Sequence, residues 1–256
     1  MMGSLTLASV ALLGGCGTVA NARLFLPPTS QGMVLIGADV VVESAADTQQ
    51  RAQALSARAQ AHAKLLAALG EVRSAPVHYF CHTNACYADF GGGTPRAKSF
   101  GASRTLMSPF GADAATVAHE WWHAELYSRI GLWRMLQVPR WFDEGVAVWV
   151  SGDPRYGEPV YHAVLAQGTV PPKLQELVSM RDFVGAVGRY GDHLKARTPD
   201  AITVVYPTVA HEVRRWMELA GTEGLRELVA GLARGEPFAA LYTSIEVRST
   251  TRRPRP

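Results

Sequence analysis
The chain has no internal repeat, no second hydrophobic stretch after its N-terminus and no pair of Cys/His pairs at zinc-finger spacing. These absences exclude solenoids, multi-span membrane proteins and finger-type modules. Charge is scarce as well, at 18% of 256 residues, and it is distributed badly for a nucleic-acid partner. Four of the 25 basic residues, Arg248, Arg252, Arg253 and Arg255, fall in the last nine positions, and without them 21 basic residues face 22 acidic ones. A phosphate-binding protein carries its cations on a folded face rather than on a Pro-containing tail, so no nucleic-acid partner is expected. With 48% hydrophobic residues, a chain of this length has ample material for a core.

The one apolar run stands at the start. Met1 to Gly15 is apolar and small and leads into Cys16, without a Lys or Arg ahead of it. It is too short to span a bilayer as a helix. Leu13-Gly14-Gly15-Cys16 resembles the bacterial lipobox, in which the thiol is acylated and becomes the mature N-terminus. That resemblance implies export to the periplasm or outer membrane, with the membrane as a partner through the lipid anchor. In an oxidising compartment Cys81 and Cys86 are expected to form a disulfide; zinc ligation together with His82 is the alternative.

Residues 17–31, containing Pro27-Pro28, read as a linker. Met33 to Glu43 is β-branched and apolar, hence one strand, and the Ala-rich stretch 45–69 is a long helix ending at Gly70. Pro76 to Cys81 is a second strand, 82–98 a loop, and Ser103 to Met107 a third strand. Helices are expected from Asp113 to Ser128 and from Arg140 to Val150, then a Gly/Pro-rich middle. Two or three amphipathic helices follow between 201 and 243, broken at Gly221 and at Gly235-Glu236-Pro237. Strands with one helix, then helices only, argue an α+β fold with two lobes. The expected organisation is a signal segment 1–16, the linker 17–31, one domain over 32–247 and a basic disordered tail 248–256.

His119-Glu120-Trp121-Trp122-His123 is an H-E-x-x-H motif inside a predicted helix. Positions i and i+4 share a helix face, so both imidazoles reach one ion, while Glu120 is turned about 100° and lies beside it. A catalytic zinc needs a third protein ligand. Trp141-Phe142-Asp143-Glu144-Gly145-Val146-Ala147, read as W-x-x-E-G-x-A after H-E-x-x-H, resembles the gluzincin metallopeptidases, the superfamily of thermolysin. The resemblance is tight over about residues 103–151. It implies a zincin-like fold holding one zinc per chain on His119, His123 and Glu144, with Glu120 as general base. Asp143 competes for the ligand position and otherwise reads as a cap or as an acceptor for an imidazole N–H. Glu125 reads as a solvated charge, with an imidazole acceptor as its second reading. Gly145 and Ala147 would let the two zinc-binding helices approach closely.

Superfamily members supply a Tyr or His from downstream to the developing oxyanion. Tyr206 is the first choice here and His211 the second. The strand before the zinc helix matches where these enzymes place an edge strand for extended substrate. No G-x-M-E-N element of the aminopeptidases is present, since Gly111-Ala112-Asp113-Ala114 is not one, and the thermolysin-type Asp four residues past the third ligand is replaced by Val148. The function expected is therefore a zinc-dependent endopeptidase of the cell envelope acting on a peptide or protein substrate. Two other classes remain open: a zinc-binding lipoprotein without turnover, serving as an assembly or binding module, and a hydrolase of non-peptide amides or esters.

Overall fold
The computed structural model describes residues 17–252 apart from residue 199; Cys16 and its lipobox-like surroundings lie outside the described residues. The fold is α+β. The segment expected as a linker is part of it: helix α1 (Gly17–Ala22) leads to Leu24, which is fully buried among Met33, Tyr79, Phe90 and Leu106. An apolar side chain with that many neighbours anchors the segment more strongly than Pro27-Pro28 loosens it.

The run from Met33 to Glu43 divides into β1 (Met33–Leu35) and β2 (Val40–Glu43), an antiparallel pair with Met33 opposite Glu43. Gly37-Ala38-Asp39 supplies the turn, a signal masked by β-branched residues on both sides. Asp47 caps helix α2 (Thr48–Leu69) in a reciprocal box with Gln50, and Gly70 at φ 77° ends it. β3 (Val77–Phe80) follows. The stretch expected as a loop holds helix α3 (Asn84–Asp89), capped by Thr83, and β4 (Ala97–Phe100). Cys81 and Cys86 are joined as a disulfide, which excludes them as metal ligands. With β5 (Arg104–Met107) the sheet runs β1-β2-β3-β5-β4, parallel across its centre and antiparallel at both margins. The strand expected at the edge, β5, is thus internal, and β4 takes the edge.

Helix α4 (Ala114–Met135) starts at an Asp113 cap that accepts from Thr116 and outruns its expected end. It jogs at Gly131, where φ is 74°, a backbone state that glycine adopts without strain. Helix α5 (Arg140–Ser151) is next. The Gly/Pro-rich middle forms α6 (Glu158–Ala166), α7 (Met180–Tyr190) and the short α8 (Asp192–Lys195), and α9 (Val205–Arg234) breaks at Gly221 as expected. Helix α10 (Phe238–Arg252) continues into the segment expected as a disordered tail.

One core runs from β2 and α2 through α4 and α5 into α9 and α10, with Trp121, Trp122, Phe142 and Trp216 at its centre. Glu125 lies inside it rather than in solvent. It is fully buried and accepts from the Ser74 amide (2.7 Å) and hydroxyl (2.6 Å), from the Arg73 amide and from Arg129 (2.7 Å), tying α4 to the segment before β3. None of those groups is an imidazole.

Gly145 also serves a different purpose from the one expected. A Cβ there would stand 2.6 Å from the Val209 carbonyl oxygen and against Val213, both on α9, so the glycine admits α9 against α5. Gly145→Ala should therefore destabilise the fold by about 1–3 kcal/mol through overpacking. Urea unfolding measures this, and an unchanged midpoint would contradict the packing described.

Candidate metal centre
The first turns of α5 and the middle of α4 face one another across the core, and six titratable side chains meet there: His119, Glu120, His123, Arg140, Asp143 and Glu144. His119, His123 and Glu144 each bring a ligand atom within 4.8 Å of the others. Glu144 Oε2 lies 3.1 Å from His119 Nε2 and 3.6 Å from His123 Nε2, so both imidazoles turn the same ring atom toward one carboxylate oxygen.

Asp143 stands behind the cluster rather than in it. His123 Nδ1 donates to Asp143 Oδ1 at 2.9 Å, and Trp122 Nε1 donates to the same oxygen at 3.0 Å. That bond fixes the His123 ring and leaves Nε2 for a ligand, as histidines at metal sites require. The choice between Glu144 and Asp143 is thereby resolved by geometry: Glu144 joins the cluster, and Asp143 orients an imidazole.

The residue that makes the arrangement possible is Arg140, one turn earlier on α5. Its guanidinium bonds Asp143 Oδ2 and Glu144 Oε1 together. Burial pushes both carboxyls toward their neutral forms, but Arg140 and His123 hold Asp143 and Glu144 below the usual carboxylate range. Burial likewise opposes charge on His123, yet Asp143 and Glu144 overcome it and raise its pKa to about 10. Arg140 and a proton on His123 thus balance the two buried carboxylates, and a divalent cation between the imidazoles would take the place of that proton.

Glu120 points into the same cavity but is not in the cluster of ligand atoms. Burial pushes its pKa up, with His119 and His123 opposing. The cavity, of about 440 Å³, is walled by β4 residues Ala97, Lys98 and Ser99 on one side and by Phe183, Val184 and Val187 of α7 on the other. β4 has no strand partner on its outer side among the described residues, and three of its residues line the cleft.

Tyr206 lines the cleft, with its ring edge-on to His119 at 6.2 Å and stacked on Tyr156 at 5.0 Å. Burial, with Glu144 nearby, pushes its phenol pKa well above 10, so the hydroxyl remains a donor. His211 does not reach the cleft. Its Nδ1 bonds Glu158 at 3.0 Å and its ring stacks on Tyr161 at 4.1 Å, which removes the second choice for an oxyanion donor.

The histidine that does reach the cleft is His193 on α8, 6.4 Å from the Tyr206 ring. Burial lowers its pKa, which leaves it neutral with one N–H to donate. Its neighbour Asp192 accepts from the amides of Val204 (2.9 Å) and Val205 (2.7 Å), locking α8 to the start of α9 and so His193 to Tyr206. The local sequence carries only a helix stop at Gly191 before it.

No family model matches the chain, and neither does any curated protein or solved structure. The functional reading therefore rests on the residues themselves.

Arg140→Met should expose the demand for positive charge. Removing one partner of a buried ion pair costs about 3–5 kcal/mol, and the metal-free protein should lose stability on that scale. Added zinc should recover more stability in the variant than in the wild type, as read by thermal unfolding with and without the ion. Equal losses under both conditions would show that Arg140 does not answer the same charge as a metal.

Proposed function
We propose that the protein is a zinc-dependent peptidase of the gluzincin type, exported and tethered to the cell envelope through Cys16. The observation that carries this reading is the convergence of His119, His123 and Glu144 on one point, with Glu120 beside it and an unpartnered strand edge along the same cleft. Two imidazole nitrogens and a carboxylate oxygen are a donor set that suits zinc with an open fourth position. The cleft between β4 and the α7–α9 side is consistent with a two-lobed, zincin-like arrangement.

Zinc, when bound, polarises a carbonyl and makes a neighbouring water more acidic. Glu120 takes a proton from the attacking water and returns it to the leaving amine, work for which a carboxyl lifted toward neutrality by burial is suited. Asp143 holds the His123 ring in one orientation throughout. Tyr206 and His193 both stand where a carbonyl oxygen gaining charge would find donors. An extended peptide aligned on β4 would present its backbone to this set, which is why a peptide substrate is favoured over a small ester. A purely structural metal site would close its fourth position and have no use for Glu120.

Glu120→Gln should keep its zinc content and unfolding temperature but lose hydrolysis of an unbiased peptide mixture by about 10²–10⁴-fold. Tyr206→Phe and His193→Leu should each lose about 10²–10³-fold, with zinc retained. If Glu120→Gln matches wild type on every substrate, the enzyme reading is wrong, and loss of its zinc would make Glu120 a ligand instead.

A further inference from the structure
Among the six tryptophans only Trp133 is widely exposed, at 78%, and Leu136 beside it is 69% exposed. Trp133 lies on the last turn of α4, past the jog at Gly131, and Leu136 caps the end of that helix, with Leu132 also exposed. Met180 at the start of α7, which lines the cleft together with Met135, is exposed as well. Exposed apolar side chains gathered at one place mark a contact surface, whereas single ones do not.

The topology says where this surface lies. Helix α4 runs alongside β4: Asp113 at its start bonds Arg96 just before the strand, and Tyr127 packs on Gly101 just after it. The part of α4 before Gly131 therefore reaches the β4–β5 turn, and past the jog Arg134 donates to the Ala233 carbonyl near the end of α9 while Met135 lines the cleft with Gly101 and Tyr127. The N-terminal segment is fixed at the same end of the strands, on the face of the sheet opposite α4. Arg104, at the start of β5, donates to the Leu24 carbonyl at 3.2 Å and covers the ring of Phe25, which is still 58% exposed. Cys16 precedes Leu24 by eight residues, a separation that no stretched chain extends beyond about 28 Å. The metal cleft reaches the same end, as its lining runs from Glu120 down to Gly101, Tyr127 and Met135.

We propose that this end of the molecule rests on the lipid bilayer, with Trp133, Leu136 and Phe25 in the headgroup region and the cleft opening toward the membrane surface. The substrate is then a polypeptide segment presented at the bilayer. The proposal rests on the anchored-peptidase reading above, because acylated Cys16 is what brings this end to the membrane. Aromatic and aliphatic side chains seated at the interface add a second hold to a lipid anchor.

The test uses the chain from residue 16 onward with Cys16→Ser, which removes both acylation and the apolar run Met1 to Gly15, mixed with vesicles of phosphatidylethanolamine and phosphatidylglycerol. The protein should co-sediment with them, and brominated acyl chains should quench its fluorescence, a quenching that Trp133→Phe abolishes. Trp133→Ser with Leu136→Ser should weaken binding at least tenfold, with zinc content and unfolding temperature unchanged. Failure to co-sediment, or quenching that survives Trp133→Phe, overturns the proposal. Binding to an extended apolar peptide but not to vesicles overturns it too and assigns the patch to a polypeptide partner. Wild-type protein found without an acyl group on Cys16 removes the tether and overturns it while leaving the Glu120→Gln result standing.

Discussion
Two carboxylates side by side at the start of a buried helix are the constraint around which this protein is organised. Asp143 and Glu144 sit where water cannot solvate them, and an unpaired buried charge is costly. Arg140 answers one oxygen of each, and the two imidazoles of α4 answer the others. This fixes the rotation and spacing of α4 against α5. Gly145, on the next residue, then admits α9 so closely that no side chain fits between the helices. The site and the core are in this sense one construction: the groups that would hold a metal also set how three helices pack.

The cleft follows from what borders that construction. β4 is a sheet margin, and its residues Ala97, Lys98 and Ser99 line the cleft together with Glu120. The opposite wall depends on a single buried carboxylate, Asp192, which captures the first amides of α9 and places His193 beside Tyr206. Polar groups from α4, α5, α8 and α9 thus line one cleft. Such convergence is expected of a site for chemistry more than of one for structure alone.

The metal cluster was legible in the sequence because its spacing is local: four residues on a helix bring two imidazoles together whatever the rest of the fold does. The α+β order, the capped helix 48–69 and the breaks at Gly221 and Gly235 were legible for the same reason, being written in propensity and turn chemistry. Tertiary facts were not. Asp143 and Glu144 are neighbours in sequence, and only the facing of α5 toward α4 decides which of them joins the cluster of ligand atoms and which stands behind His123. Glu125 looked like a surface charge because its partners, Arg73 and Ser74, lie about fifty residues away. His193 and Arg140 carried no motif, and His211 seemed plausible only while its pairing with Glu158 was unseen. The linker was misread for a simpler reason: two prolines are conspicuous, and one buried leucine is not.

The central claim is that one metal ion is held by His119, His123 and Glu144 and by no other side chain. Anomalous diffraction recorded on either side of the zinc absorption edge, from crystals of the purified protein, tests it most directly. The account predicts one strong peak per chain, about 2.0–2.2 Å from the Nε2 atoms of both histidines and from an oxygen of Glu144, with the fourth position turned to the cleft. A peak ligated by Asp143 or Glu120, or no peak in crystals grown with zinc, would contradict it.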